Sequence, residues 1–323
     1  MNCQHHQYIE RDTLRIRTEN VYGDRILSWF YSKARKNAPV LFRALISPRI
    51  SSLLVFVNFD FPLGSRFTIE RFIKMIPINL SECLDEPESL NTARKLFERK
   101  IRYWETRPMP EDPAAIISPA DSKVLFGSFR ETSRLFLKEK FFDFDELLGK
   151  DKNDWLSAFH QGDFAVFRLT PDKYHYNHTP VAGNVVDIYQ IPGGYHSCNP
   201  SSVVDSVTPL SKNKRVVTVI DTDVDGGTKA GLVAMIEIVA LMIGNITQRY
   251  SENKYDFPRN VIRGVFLKKG RPKSLFRPGS STDVLIFQKG RVTISQDLVI
   301  NMYNQKVQSR YSLGSGNLWL KPK

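Results

Sequence analysis

Hydrophobic residues follow two different patterns along the chain, and the change falls near residue 110. Before it, apolar residues recur at helical spacing among basic ones between residues 21 and 75, and again between residues 90 and 104. After it, short runs rich in β-branched and aromatic residues alternate with turn sequences such as Pro192-Gly193-Gly194. The pattern predicts an α+β protein in which a helical, basic N-terminal layer (residues 1–110) covers a mainly β, barrel-like or sandwich-like domain (residues 111–323).

The predicted strands of the second part are short and separated by turn residues. They cover residues 115–117, 123–129, 163–169, 181–191, 215–220, 232–243, 283–287 and 292–300, with a short helix near residues 142–148. The segment Arg107-Pro108-Met109-Pro110 ends the last N-terminal helix, because proline cannot continue one.

The net charge of the chain indicates a class of binding partner. Lysine and arginine number 46 against 34 aspartates and glutamates, a net charge of +12, which favours polyanions such as nucleic acid or an acidic lipid surface. The Phe- and Leu-rich basic helices between residues 21 and 75 suit the headgroup level of an anionic bilayer, although such faces also pack on a domain behind them. No apolar run approaches the roughly 20 residues that span a bilayer, so we do not expect the chain to cross a membrane by itself.

The cysteines, the N-terminal sequence and one acidic segment bear on the oxidation state of the thiols, the cellular location and metal binding. Cys3, Cys83 and Cys198 lie far apart without C-x-x-C spacing, and the polar N-terminus has no apolar segment typical of a signal peptide. We therefore expect reduced thiols and a cytoplasmic location. The sequence Asp221-x-Asp223-x-Asp225-Gly226 starts like a calcium loop, but its twelfth position is Leu232 rather than glutamate, so no EF-hand and no metal site are expected.

Two adjacent serines mark the first candidate site. Ser280 and Ser281 follow Pro278-Gly279 and lead directly into the predicted strand 283–287. A serine in a tight turn before a buried strand can be strained so that its hydroxyl meets the preceding carbonyl. A simple turn is the commoner explanation for such a sequence.

A histidine pair and an aspartate provide further candidate chemistry. His175 and His178 stand three residues apart beside Tyr174, and two such histidines can divide the roles of base and proton donor. Asp121, after Ser118-Pro119-Ala120, can orient an imidazole, as in catalytic triads. Each feature alone also suits a structural turn or cap. Together, Asp121, His178 and Ser281 offer acid, base and nucleophile.

Several motifs jointly resemble one family. S-P-A-D at 118, P-D-K-Y-H-Y-N-H-T-P-V-A-G at 171, G-G-Y-H-S-C-N-P at 193, N-K-R at 213, K-K-G at 268 and P-G-S-S-T-D-V-L-I-F at 278 occur in the order and spacing of the phosphatidylserine decarboxylase family. The resemblance covers about residues 88 to 300. The joint match is far more specific than any single motif.

The resemblance implies a protein that cuts itself. By analogy His178, oriented by Asp121, deprotonates Ser281, whose oxygen attacks the carbonyl of Ser280. β-Elimination of the ester then leaves a β chain ending at 280 and an α chain that begins with a pyruvoyl group, the pyruvate cofactor. This group forms a Schiff base with the substrate amine and accepts electrons as carbon dioxide leaves, and His175 matches the proton donor.

The resemblance also implies partners. The substrate is phosphatidylserine, converted to phosphatidylethanolamine by an enzyme peripheral to an anionic membrane surface; a homodimer is expected and nucleic acid is not. Ser280 stands at the usual glycine of the cleavage motif, so it is an alternative reactive serine, although the register of the strand favours Ser281. His196 stands where an aromatic residue near the lipid headgroup is typical, and we expect His196 and Tyr174 to contact substrate.

Three other functions stay open on sequence alone. The first is a soluble pyruvoyl-dependent decarboxylase of a free, possibly aromatic, amino acid, which His196 leaves room for. The second is an unprocessed relative that only binds lipid or a partner. The third is a hydrolase of external esters, but its nucleophile would be lost on self-cleavage.

Overall fold

The computed structural model describes most of the chain beyond residue 78 and short pieces before it. The described residues are 7–11, 13–18, 37–38, 47, 50, 53, 56–61, 78–130, 134–137, 140–170, 172–195, 209–239, 245–278, 281–305, 308–311 and 321–322.

Short strands make up most of the regular structure. In chain order they are β1 (Gln7–Glu10), β2 (Ile16–Thr18), β3 (Ser122–Ser128), β4 (Arg134–Leu137), β5 (Lys140–Asp143), β6 (Asp163–Leu169), β7 (Tyr176–His178), β8 (Gly183–Ile191), β9 (Arg215–Asp221), β10 (Leu232–Ile238), β11 (Ile246–Gln248), β12 (Phe266–Leu267), β13 (Pro272–Phe276), β14 (Ser281–Phe287), β15 (Val292–Thr293), β16 (Gln308–Tyr311) and β17 (Lys321–Pro322). The α-helices are Ala93–Phe97, Tyr103–Thr106, Phe144–Leu148, Asn153–Ala158, Pro209–Lys212 and Gln296–Gln305.

A ten-stranded sheet forms the body of the protein, in the order β12-β8-β9-β10-β14-β6-β3-β16-β1-β2. Its pairs are antiparallel except for β1 with β16. Strand β14 lies near its centre, and its side chains alternate between two apolar clusters: Val284 and Ile286 belong to one, Leu285 and Phe287 to the other. Because both faces are covered, the strand reads as a nearly continuous apolar run.

A smaller sheet, in the order β11-β13-β7, carries the histidine segment. It contributes Tyr176 and Leu275 to a buried cluster that also contains Ile101, Tyr103, Tyr174 and Tyr255. Phe97, from the helix Ala93–Phe97, stacks on His175, the residue before β7, and Tyr103, from the helix Tyr103–Thr106, packs against His178 in β7. Strand β13 of this sheet and β14 of the ten-stranded sheet are consecutive in the chain, so the predicted cleavage segment belongs to the connection between the two sheets.

Most predicted strands are present within a few residues of their predicted limits, and the mainly β, α+β class is confirmed. The predicted strand 292–300 is wrong beyond Thr293, because Gln296–Gln305 is a helix whose first turn holds Asp297 against Arg11, at 2.7 Å. The helix expected between residues 90 and 104 is two short helices, because Ile101 between them pairs with Cys83 as a β-bridge.

The predicted N-terminal helices between residues 21 and 75 fall mostly outside the described residues. Of that region the structure describes mainly a single π-helical turn, Phe56–Asp60, whose Phe59 packs on Phe97. Within the described part of the chain, no helix is long and apolar enough to span a bilayer.

Candidate active site

His178 is the last residue of β7 and is completely buried. Its backbone N–H donates to the carbonyl of Pro119 at 2.7 Å, and its strand pairs with β13 at Pro272. These contacts bring the S-P-A-D turn, the histidine strand and the strand that precedes the cleavage segment together at one place.

Both ring nitrogens of His178 have partners. Nδ1 lies 2.9 Å from the carbonyl oxygen of Gly270, and Nε2 lies 3.0 Å from the hydroxyl of Tyr174. Gly270 adopts a φ of +76°, a left-handed conformation that glycine tolerates and that fixes the direction of this carbonyl. The ring of Tyr103 stands edge-on against the imidazole, with 4.6 Å between ring centroids.

Burial lowers the pKa of His178 to about 4, against smaller opposing effects of the Gly270 carbonyl and the charge of Asp121. At neutral pH the imidazole is therefore uncharged. An uncharged imidazole can accept a proton, which is the state that a general base requires.

Asp121 is also buried, and its carboxylate is bound by Arg107. The guanidinium donates from Nη2 to Oδ2 at 2.9 Å and from Nε to Oδ1 at 3.1 Å, and it also reaches Glu82 at 2.9 Å. Asp121 thus lies in the segment next to His178 and raises its pKa through its charge. The sequence predicts that Asp121 orients the imidazole of His178, but both ring nitrogens of His178 contact other groups, the Gly270 carbonyl and the Tyr174 hydroxyl.

His175 is buried in an apolar contact. Its ring stacks on Phe97 with 3.6 Å between centroids, and neither ring nitrogen makes a hydrogen bond of good geometry with the described residues. Burial, followed by the positive charge of Arg99, lowers its pKa to about 3, with a smaller opposing effect of the Lys173 backbone. Its carbonyl accepts from the N–H of Phe276 at 3.1 Å, so His175 lies beside the chain that leads into residues 277–280.

Ser281 is the first residue of β14, where its backbone pairs with Leu169 on β6. Gly279, Ser280 and His196 lie outside the described residues. Tyr174, predicted as a substrate contact, is completely buried, and its hydroxyl lies 2.6 Å from that of Tyr255.

Sequence reasoning missed several residues around His178. Tyr255 and Tyr103 are distant in the chain and carry no motif, and Arg107 stands in the segment that the sequence predicts only as the end of a helix. The Gly270 carbonyl is a backbone group that only the folded chain brings to the ring.

A second buried polar cluster lies between the sheets. The carboxylate of Glu237 accepts from Lys273 at 2.6 Å, from Gln248 at 3.1 Å and from Ser274. Asp283 stands opposite Glu237 in the β10–β14 register, and its carboxyl oxygens have no hydrogen-bond partner among the described residues. Burial, and then the charge of Glu237, raise the pKa of Asp283 well above its usual value. Asp283 therefore keeps its proton to a higher pH than an exposed aspartate does.

His178 is a neutral buried imidazole near the buried carboxylate of Asp121. Its strand, β7, pairs with β13, and the next strand along the chain, β14, begins with Ser281. Such an arrangement is typical of an enzyme that uses acid–base chemistry. A model of the phosphatidylserine decarboxylase family matches residues 93–311. The chain belongs to this family.

Individual relatives agree with the family match. The chain is 30% identical to a phosphatidylserine decarboxylase proenzyme of Fusobacterium nucleatum, over 97% of each chain. It is 26% identical to the proenzyme of Clostridium tetani, over 91% of this chain and 92% of the relative. A rice protein, phosphatidylserine decarboxylase proenzyme 2, is 32% identical over 72% of this chain and 35% of its own length.

Proposed function

We propose that this protein is a phosphatidylserine decarboxylase made as a proenzyme that cuts itself between Ser280 and Ser281. The observation that carries the proposal is the family match, whose residues 93–311 include Asp121, the two histidines and both serines. The product is phosphatidylethanolamine, and carbon dioxide is released.

In the self-cleavage step we assign the base to His178. Nε2 of its neutral ring takes the proton of the Ser281 hydroxyl in place of its contact with Tyr174, and the oxygen attacks the carbonyl carbon of Ser280. The bond from that carbon to the nitrogen of residue 281 breaks, the nitrogen takes the proton from His178, and an ester remains. Elimination then removes the Cα proton of residue 281 and breaks the bond between its Cβ and the ester oxygen. The chain that ends at 280 leaves as a carboxylate, and water converts the dehydroalanine that remains into a pyruvoyl group and ammonia. We assign to Asp121 the electrostatic support of His178, since its charge raises the pKa of that ring.

The strand position supports Ser281 as the reactive serine. Its backbone is fixed by pairing with Leu169, and the next two residues, Thr282 and Asp283, are buried. If Ser280 were the reactive serine, the reaction would take place one residue before the position that pairs with Leu169.

The new chain end fits a pyruvoyl group, because a blocked, uncharged terminus is better suited than a free ammonium to a chain end that is followed directly by the buried residues Thr282 and Asp283. When present, this group supplies an electrophilic carbonyl that accepts electrons as the carboxylate of the substrate leaves. We assign to His175 the return of a proton to the substrate carbon. Its ring nitrogens lack hydrogen-bond partners among the described residues, a costly state that is often kept for function.

We further propose that the protein works at the surface of a membrane that contains acidic lipid. The net charge of +12 favours such a surface. The loop of residues 256–264 exposes Phe257 and Ile262, 93% and 59% accessible, beside the exposed arginines 259 and 263. Apolar tips among cations are suited to the headgroup region. Substrate contacts by Tyr174 and His196, and the homodimer, stay predictions.

Self-cleavage is tested by intact-mass spectrometry and denaturing gels of freshly purified protein. We expect two chains, 1–280 and 281–323, with the second blocked at its N-terminus. Ser281→Ala and His178→Ala should each stay whole, and Ser280→Ala should still be cut. A single whole chain for the unchanged protein contradicts the proposal and favours a lipid-binding role.

The substrate is tested with the cleaved protein and two carboxyl-labelled compounds. Phosphatidylserine in mixed vesicles should release labelled carbon dioxide, while free serine and free aromatic amino acids should not. Release from a free amino acid alone would replace the lipid assignment.

A further inference from the structure

Two short segments from different parts of the chain cover the imidazole of His175. The ring of Phe97, at the end of the helix Ala93–Phe97, stacks on the imidazole with 3.6 Å between ring centroids. The ring of Phe59 packs edge-on against Phe97, with 6.2 Å between centroids. Phe59 belongs to the π-helical turn Phe56–Asp60. Residues 56–61 and 93–97 together form a cover that we call the aromatic cap.

The two segments of the aromatic cap are tied to each other. Phe59, Ala93 and Phe97 form a buried apolar cluster. Beside it the guanidinium of Arg94 donates two hydrogen bonds to the carboxylate of Asp60, from Nε to Oδ1 and from Nη2 to Oδ2, the second at 2.5 Å. Such two-bonded ion pairs fix the relative orientation of their partners. A displacement of the turn is therefore passed to the helix that carries Phe97.

The outer side of the aromatic cap is apolar and exposed. Phe56, Val57 and Phe61 are each between 44% and 52% accessible, whereas Phe59 on the inner side is buried. The rings of Phe56 and Phe61 lie 6.5 Å apart. Large apolar side chains grouped at a surface are a sign of a contact with another molecule or with a membrane.

The charge around this segment identifies the partner. Between residues 40 and 75 the sequence contains five basic residues and two acidic ones, and one of the acids, Asp60, is bound to Arg94. Aromatic side chains among an excess of cations are suited to the headgroup region of a bilayer that contains acidic lipid. A second copy of the chain would bring the same excess of positive charge, which is repelled.

His175 has to become accessible before it can act on a substrate. Its side chain is completely buried, and its ring nitrogens bond to none of the described residues. On one side its backbone is held by the smaller sheet, where its carbonyl accepts from the N–H of Phe276 at 3.1 Å. On the other side lies the aromatic cap, which consists of two short segments with an exposed outer face. The aromatic cap can therefore move without the loss of a strand pairing.

We propose that the aromatic cap docks on a bilayer that contains acidic lipid and moves away from His175 as one unit, which uncovers the proton donor at the surface where the lipid substrate lies. This inference rests on the proposed function, in which His175 returns a proton to the substrate carbon. Docking removes the apolar area of Phe56, Val57 and Phe61 from water, and this gain offsets the loss of the stack between Phe97 and His175. Away from a bilayer the stack closes again.

The test measures how fast His175 is modified in uncut Ser281→Ala protein, so it needs neither cutting nor decarboxylation. Diethyl pyrocarbonate reacts with accessible neutral imidazoles, and mass spectrometry of peptides locates the modified ring. Vesicles of phosphatidylglycerol and phosphatidylcholine, whose headgroups have no primary amine, should raise the rate at His175 about tenfold, because the rate follows the population of the open form. Phosphatidylcholine alone should not. The rate at His178, which the aromatic cap does not cover, should stay unchanged.

One pair of variants tests the docking face. Phe56→Ser should reduce the effect of the vesicles on His175 severalfold, because the aromatic cap loses apolar area to bury. Ile300→Ser is the matched control. It changes another exposed apolar residue, 46% accessible, on the helix Gln296–Gln305, and it should respond like the parent.

A second pair of variants tests the movement as one unit. Arg94→Met removes the ion pair with Asp60, so this protein should still sediment with the vesicles while His175 stays protected. Lys95→Met removes an exposed lysine from the same helix, and its response should equal that of the parent.

The outcomes separate this inference from the proposed function. A modification rate at His175 that vesicles do not change overturns the inference, and so does an Arg94→Met protein that opens like the parent. Conversion of a dimer to a monomer by Phe56→Ser, measured by light scattering, would assign the face to a second copy and also overturns it. If the unchanged protein neither cuts itself nor releases carbon dioxide while vesicles still uncover His175, the proposed function fails and the docking stands.

Discussion

Glu237 on β10 and Asp283 on β14 face each other in the main sheet, both completely buried, yet only Glu237 is bound by a cation, Lys273. Two carboxyl groups that share an apolar site disfavour each other's charged form. Burial, followed by the charge of Glu237, accordingly raises the pKa of Asp283, which lies two residues after Ser281.

Removal of the cation should be costly. Lys273→Met leaves the Glu237 carboxylate buried without a counter-charge, and we expect the free energy of unfolding to fall by about 3–5 kcal/mol. Urea denaturation of the uncut Ser281→Ala protein measures this. Lys150→Met, which removes an exposed lysine near Glu146, is the control and should change stability by less than about 1 kcal/mol. An equal fall in the free energy of unfolding of Lys273→Met and Lys150→Met would show that the buried ion pair stabilises the fold no more than an exposed one.

Asp283 should make stability depend on pH. Its folded pKa is raised above the unfolded value near 3.8, so the protonated form stabilises the fold below that pH and the contribution is lost as pH rises through the folded pKa. Asp283→Asn has no proton to lose. Its free energy of unfolding should match that of the parent in acid and exceed it increasingly above pH 3.8, as measured by urea denaturation at several pH values. A difference that does not change with pH would mean that Asp283 does not titrate in this range.

Arg107 should be needed to keep Asp121 ionised in its buried place. Arg107→Leu is expected to lower the free energy of unfolding by about 3–5 kcal/mol and to slow self-cleavage. Arg107→Lys keeps the charge but not the two-bonded geometry, so an intermediate effect is expected. Arg17→Leu, which removes an exposed partner of Glu10, should be nearly neutral. Normal cutting by Arg107→Leu would contradict the support assigned to Asp121.

Phe97 should control the titration of His175. Phe97→Ala removes the ring that covers the imidazole, so water reaches it and the pKa of His175 should rise from about 3 toward its usual value. Histidine NMR of uncut Ser281→Ala protein measures the change. Phe97→Leu keeps apolar cover and should shift the pKa less. An unchanged titration in Phe97→Ala would show that other groups exclude water from the ring.

Phe257 should contribute to membrane binding and not to self-cleavage. Phe257→Ser is expected to reduce sedimentation with vesicles of phosphatidylserine and phosphatidylcholine by severalfold, because the side chain loses apolar area to bury. Leu14→Ser changes another exposed apolar residue, 65% accessible, on the β1–β2 turn. It should bind like the parent. Equal binding by the parent, Phe257→Ser and Leu14→Ser would show that the loop of residues 256–264 does not contribute to membrane binding.

Much of the sheet could be predicted from local pattern. The strands β6, β9, β10 and β14 can be predicted from their own sequences. Each is covered on both faces, so its seven residues form a mostly apolar run. The family motifs likewise name the histidines, Asp121 and the serines. Strand β7 escaped prediction because its three residues, Tyr176–His178, are held by pairing with β13 and not by any pattern of their own.

The sequence alone therefore determined the β-rich class, the basic charge, the family and the candidate chemistry, all of which depend on residue types at short range. Only the tertiary structure decided what surrounds each of those residues. Arg107 on Asp121, Phe97 on His175 and Tyr255 behind His178 come from segments distant in the chain or without a motif. Burial and hydrogen bonding set the protonation state of a side chain, and both are properties of neighbours that only folding brings together.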